Sequence, residues 1–169
     1  MTLNSATLQL AQSIQNPTLT LTTKTISILT EPLALLIISI TLSAFLYCKK
    51  QKSYAILLAS TTITTAAIIE ILKETLKIPR PSSMLVQETG YALPSGHATF
   101  AVIFFGLLVY IFAKPKYKTK AIITSTLLIL TIAASRLYLQ VHWATDVITG
   151  LAIGSIILTT SILIHKKFS

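Results

Sequence analysis

Five apolar runs separated by short polar connections constrain this chain more than any other feature. They cover roughly residues 32–48, 54–72, 98–113, 121–139 and 147–164. Each is near the ~20 residues that a helix needs to cross a bilayer, and the shorter ones reach it if their flanks continue the helix. Hydrocarbon offers backbone groups no partners, so such runs must satisfy their own hydrogen bonds as helices. Hydrophobic residues make up 53% of the 169 and charged residues only 11%. A buried soluble core would need far more polar surface. The expected fold is all-α, an integral membrane bundle of about five transmembrane helices. Ser, Thr, Ala and Gly within the runs suit close helix packing.

Residues 1–31 read differently. Leu3, Ala6, Leu10 and Ile14 recur at helical spacing until Asn16-Pro17 breaks the pattern, and apolar residues resume from Leu19 to Ile28. The segment is too polar to span comfortably. It is expected to lie as helix in the membrane interface, with a disordered tail as the alternative. The first residues lack a basic stretch followed by a clean apolar one, which argues against a secretory signal. One cysteine, Cys48, excludes an internal disulfide and a cysteine metal cluster.

A net charge of +9 raises the question of nucleic acid, but the lysines answer it. They cluster between apolar runs, at 49–52, 114–120 and 165–167. Five spans place these basic pieces on one side, which the positive-inside rule makes cytoplasmic. No nucleic-acid partner is expected. The two remaining connections, residues 73–97 and 135–146, then meet on the extracytoplasmic face.

Those two connections hold nearly all the chemistry. Both arginines, Arg80 and Arg136, lie there, with the only aspartate, Asp146, and two of the three histidines, His97 and His142. Ionisable groups beside membrane spans are expensive and usually functional. His142 and Asp146 are four apart, so on a helix they share a face and the carboxylate can orient the imidazole. Arg136 precedes His142 by six, which requires a turn between them. Ser95-Gly96-His97 heads an apolar helix, where glycine lets backbone N–H groups approach an anion.

Phosphoryl transfer suits this set. Two guanidiniums and a lysine neutralise a phosphate, with arginine offering forked donors. Two histidines allow one nucleophile and one general acid. Glu70, Glu74 and Glu88 are scattered, so no two-metal site is expected and no cofactor is implied. By ligand type His97, His142 and Asp146 could hold zinc, but the neighbouring cations disfavour it.

Lys73-x6-Arg80-Pro81, then Pro94-Ser95-Gly96-His97, then Ser135-Arg136-x5-His142-x3-Asp146 resemble the three-part signature of the type 2 phosphatidic acid phosphatases, whose superfamily includes vanadium haloperoxidases and bacterial acid phosphatases. All three parts match in order and spacing, over about residues 54–164. The resemblance implies a metal-independent lipid phosphatase of the membrane. His142 would be the nucleophile, forming a phosphohistidine, and Asp146 would orient it. His97 would protonate the leaving oxygen. Lys73, Arg80, Ser95, Gly96 and Arg136 would bind the phosphate. Residues 32–169 would form the phosphatase domain behind the interfacial segment 1–31. Membrane members commonly have six spans, one more than the apolar runs here.

The implied substrate is a lipid phosphate or polyprenyl diphosphate in the bilayer, and small size leans towards the diphosphate. Phosphatidylglycerophosphate and phosphatidic acid are alternatives, as is transfer to an acceptor other than water. A non-enzyme alternative is an anion-binding transporter, although internal repeats are not evident. Trp143, Tyr91 and Tyr138 read as interfacial anchors, and His165 as a solvated residue of the basic tail.

Overall fold

The computed structural model describes residues 2–168, in seven α-helices. They are α1 (Leu3–Ser13), α2 (Pro17–Leu29), α3 (Pro32–Cys48), α4 (Lys52–Leu76), α5 (Gly96–Phe112), α6 (Lys118–Tyr138) and α7 (Ala144–Phe168), with a 3-10 turn at Pro115–Tyr117. The five apolar runs become α3 to α7, and polar flanks extend α4 and α7 to 25 residues each.

Proline sets two of the starts. Pro17 and Pro32 occupy first-turn positions, where a missing N–H costs no bond. Asn16 caps α2 by accepting the Leu19 N–H at 2.8 Å. Two exits towards the site pass through left-handed backbone, at Lys77 (φ 50°) and Gln140 (φ 55°). Each swings the chain sharply out of a helix, and Gln140 is the turn expected between Arg136 and His142.

Helix α5 is the centre, packed against α3, α4, α6 and α7. Its amino-terminal half is buried from Gly96 to Ile103. Two glycines of α7 allow a close approach to the head of α5. A Cβ on Gly150 would stand 2.7 Å from the Ser95 carbonyl oxygen, and one on Gly154 would stand 2.9 Å from Val102 Cβ. The approach lets the Ser95 N–H donate to the Asp146 carbonyl at 3.0 Å, joining two motifs through the backbone. Outward faces stay apolar and exposed, as at Ile37, Ile56, Ile63, Leu127, Ile156 and Leu163, which fits contact with lipid.

Helices α4, α6 and α7 are each long and apolar enough to cross a membrane, while α5 has 17 residues. Helix α3 passes that test jointly with α2, as a pair bent by 41°. Length and composition thus give three spans, or four with the bent pair, against the five expected. The difference lies in α3 and α5, whose flanking residues turn away and do not lengthen the helix. The amino-terminal residues are helical from Leu3 to Leu29 and pack on the bundle: α2 lies against α6, and α1 against α6 and α7.

The far end of the bundle is closed by a ring cluster. His165 lies between Ser53 Oγ (2.9 Å from Nε2) and Tyr110 OH (3.0 Å from Nδ1), and stacks on Tyr54. His165 is therefore not a solvated tail residue.

Candidate active site

The loop from 77 to 95 folds back across the end of α6. The Ala92 N–H donates to the Ile78 carbonyl at 2.8 Å, and the Leu85 N–H to the Leu139 carbonyl at 3.0 Å. Met84, Leu85 and Val86 pack on Tyr138, Leu139 and Val141. The Trp143 indole donates to the Pro79 carbonyl at 2.8 Å. Trp143 thus holds the loop against the site.

Arg80 staples this loop. Its guanidinium donates to the carbonyls of Gly90 (3.1 Å), Thr89 (3.1 Å) and Val141 (2.8 Å). Its Nη1 also donates to His142 Nε2 at 3.3 Å. Arginine can only donate, so Nε2 is the unprotonated nitrogen and Nδ1 carries the hydrogen. Nδ1 faces Asp146 Oδ2 at 3.5 Å, and that oxygen accepts the Trp143 N–H at 2.8 Å. The carboxylate selects the tautomer that leaves a lone pair on Nε2. Burial lowers the His142 pKa to about 4; Asp146 opposes the shift, and Arg80 and Arg136 add to it. The imidazole is therefore neutral at neutral pH. His142 does not share a helix with Asp146: it sits in the turn before α7, and Asp146 in the first turn of α7. The turn aims the ring back over the helix end.

Arg136, in the last turn of α6, is fully buried. Its Nη1 donates to Ser27 Oγ and its Nη2 to Glu88 Oε1. The other Glu88 oxygen is 3.8 Å from Arg80 Nη2. One carboxylate therefore joins both arginines. Burial pushes the Glu88 pKa up, but Arg136 and Arg80 outweigh it and hold the group below the usual carboxylate range.

His97, buried in the first turn of α5, points Nε2 at the Ser27 carbonyl at 3.1 Å and at Glu31 Oε2 at 3.4 Å. A carbonyl only accepts, so Nε2 carries a proton. Ser27 thus links His97 to Arg136, through its carbonyl and its hydroxyl. Lys73 is half-buried in the last turn of α4, within Coulombic reach of Arg80 and Glu88.

Ser95 precedes α5, and its buried Oγ has no hydrogen-bond partner. Arg136 Nε is likewise buried without an acceptor. Unsatisfied buried donors beside two guanidiniums and a helix amino terminus are the chemistry of an anion cradle. Gly96 has a second role: a Cβ there would meet Pro32 Cγ at 3.3 Å, so glycine lets the head of α3 close on the cradle.

His142, Asp146, Arg80 and Arg136 are linked by direct contacts, with Ser95 and His97 joined to them through Asp146 and Ser27. Among the described residues no three His, Cys, Asp or Glu side chains are grouped to hold a metal ion. His97, His142 and Asp146 therefore do not form the zinc set that ligand type allows. Sequence reasoning missed Ser27 and Glu31, and left Glu88 as a scattered acid.

Residues 54–169 match the model of the PAP2 superfamily. The chain belongs to that superfamily. Phosphatidylglycerophosphatase B of Bacillus subtilis (strain 168) is 30% identical over 125 residues, covering 70% of this chain and 61% of that protein. Lipid phosphate phosphatase delta of Arabidopsis thaliana is 31% identical over 113 residues, covering 57% of this chain and 27% of that protein. The chain thus spans less than two thirds of the length of either curated relative. The crystal structure of the transmembrane PAP2 type phosphatidylglycerolphosphate phosphatase from Bacillus subtilis superposes with a TM-score of 0.91 at 24% identity, over 98% of this chain and 86% of that one. Aquifex aeolicus LpxE gives 0.77 at 22% identity, over 96% of both chains. These likenesses establish the PAP2 membrane fold, and the chain is a multi-pass membrane protein.

Proposed function

We propose that this PAP2 protein hydrolyses the terminal phosphate of a membrane lipid through a phosphohistidine on His142. The observation that carries the reading is the His142 ring: buried, neutral, its Nε2 lone pair beside Arg80 and its Nδ1–H towards Asp146. That lone pair would attack phosphorus while the phosphate oxygens lie on Arg80, Arg136, Lys73, Ser95 and the Gly96 amide. The bond to the lipid oxygen breaks as the Nε2 proton of His97 passes to it. Water then attacks the phosphohistidine, His97 takes back a proton, and inorganic phosphate leaves. Preorganised donors around the equatorial oxygens stabilise the transition state.

The His97 proton faces the α2–α3 junction. The departing lipid oxygen would therefore lie there, beside an apolar helix pair able to hold its tail. The names of the relatives favour phosphatidylglycerophosphate over a polyprenyl diphosphate. The basic 49–52 and 114–120 connections and the basic tail support an extracytoplasmic site by the positive-inside rule.

A phosphate-release assay with the purified chain in detergent tests this, using phosphatidylglycerophosphate, phosphatidic acid and a polyprenyl diphosphate. Release should survive chelator and fall with orthovanadate, which imitates the five-coordinate transition state. No release from any lipid phosphate, or loss on chelation restored by Mg²⁺ or Zn²⁺, would overturn the reading. Anion binding without release would favour the transporter.

A further inference from the structure

Glu88 has no part in the chemistry above, yet its carboxylate sits between the two guanidiniums assigned to the phosphate. A carboxylate and a phosphate present the same acceptor geometry to an arginine fork. The two cannot hold Arg136 Nη2 at once. Glu88 is also free to leave. The backbone around it is held, by the Leu85 and Ala92 amides and by Arg80 at the Thr89 and Gly90 carbonyls, so only the side chain has to move. Its side chain is 24% exposed, whereas that of Arg136 is 0% exposed, so the acid can swing outward while the base cannot move.

We propose that Glu88 is a built-in competitor for the phosphate cradle, displaced when a phosphate enters and returning to help expel inorganic phosphate. The proposal rests on the phosphate-binding role assigned to Arg80 and Arg136. The consequence is a raised threshold for every anion. A bilayer presents phosphodiester headgroups in great excess over any one phosphomonoester. A bare cradle of two arginines and a lysine would fill with them. A tethered carboxylate has a high effective concentration and weakens all anions by one factor. Diester headgroups then fall below saturation. A terminal phosphate, with nearly two charges at neutral pH, still enters.

Competition of this kind has a signature. Removing the competitor must tighten unrelated anions equally, because each had to displace the same group. Glu88→Gln keeps the shape and removes the charge. Its Kd for inorganic phosphate, by titration calorimetry in detergent, should fall about ten- to hundredfold, the range expected for one charged hydrogen-bonded contact. The Ki for phosphatidylglycerol, a diester, against hydrolysis of phosphatidic acid in mixed micelles should fall by the same factor. Product inhibition by phosphate should rise with it. Phosphate should also raise the melting temperature of Glu88→Gln more than that of the wild type, a readout that works even if the variant is less stable.

Unchanged or weaker phosphate binding would show that Glu88 merely spaces the arginines, and would overturn the proposal. So would tightening by different factors for phosphate and diester. If the wild type binds phosphate but releases none from lipid, the phosphatase reading fails. The calorimetric comparison still decides the role of Glu88.

Discussion

Arg80 Nη1 stands 3.3 Å from His142 Nε2, so a guanidinium and an imidazole lone pair are in direct contact. In the proposed reaction a phosphate drawn to the guanidinium would arrive beside the nitrogen that attacks it. The same contact keeps the imidazole from taking up a proton on Nε2. On that reading, binding and nucleophile activation are one arrangement.

The first prediction separates the two histidines by leaving group. As the proposed nucleophile, His142 would bond to phosphorus whatever departs, so His142→Ala should abolish turnover of every substrate. As the proposed general acid, His97 would matter only where the leaving oxygen needs a proton. His97→Ala should lose ~10²–10⁴-fold on an alkyl lipid phosphate and much less on a nitrophenyl phosphate. Equal losses on both, or leaving-group dependence in His142→Ala instead, would reverse or remove these roles.

The second concerns pH. His142 has a pKa of about 4 in the folded protein, below the ~6.5 of an unfolded histidine. Below pH ~6.5 the unfolded chain therefore takes up a proton that the folded one does not. The stability this group contributes is complete above pH ~6.5 and is lost as pH falls towards about 4. Thermal melting in detergent should show that loss, and His142→Gln should flatten it. A histidine NMR resonance titrating near 6.5 and assigned to His142 would contradict the prediction.

Glycine packing gives the third. Gly150→Ala places a methyl 2.7 Å from the Ser95 carbonyl oxygen, a backbone atom that cannot step aside. It should part α7 from the head of α5 and lower kcat by roughly 10²-fold, the cost of an ångström of misplacement at a reacting centre. Gly106→Ala meets only the end of Leu158. It should cost stability and leave kcat nearly unchanged. Equal kcat losses would mean that packing in general, and not this junction, sets the rate.

Orientation is the fourth. Cys48 is exposed at the end of α3, beside Lys49 and Lys50. A membrane-impermeant thiol reagent should label it only after permeabilisation. Labelling of intact cells would put the site on the cytoplasmic side.

The parts legible in sequence were those written in scarce residue types. Two arginines, one aspartate and two histidines beside apolar runs announce themselves, and α3 to α7 follow from apolar length. The second set of groups around the site is written in common ones. Ser27 reaches Arg136 across 109 residues and Glu88 across 48, distances at which no local pattern operates. A carboxylate inside a loop flanked by two phosphate motifs was the one available signal for Glu88. Tyr138 reads as an interfacial anchor but is buried, because its hydroxyl accepts the Asn16 N–H at 3.1 Å. That contact depends on where α2 lies, which periodicity does not reveal.

Helix α5 has 17 residues and so rises about 25 Å, some 5 Å less than a typical hydrocarbon layer. Its foot is tied to α4 and α7 through Tyr110 and His165, and its head carries Ser95, Gly96 and His97. If the foot is held at one surface, a helix of this length leaves the head short of the other. The lipid must either thin around the protein or let its polar layer sink to the histidines. On the proposed reading, hydrophobic mismatch becomes part of the catalytic geometry. Acyl-chain length in the surrounding bilayer would then govern how far a phosphate has to descend before the proposed nucleophile can reach it.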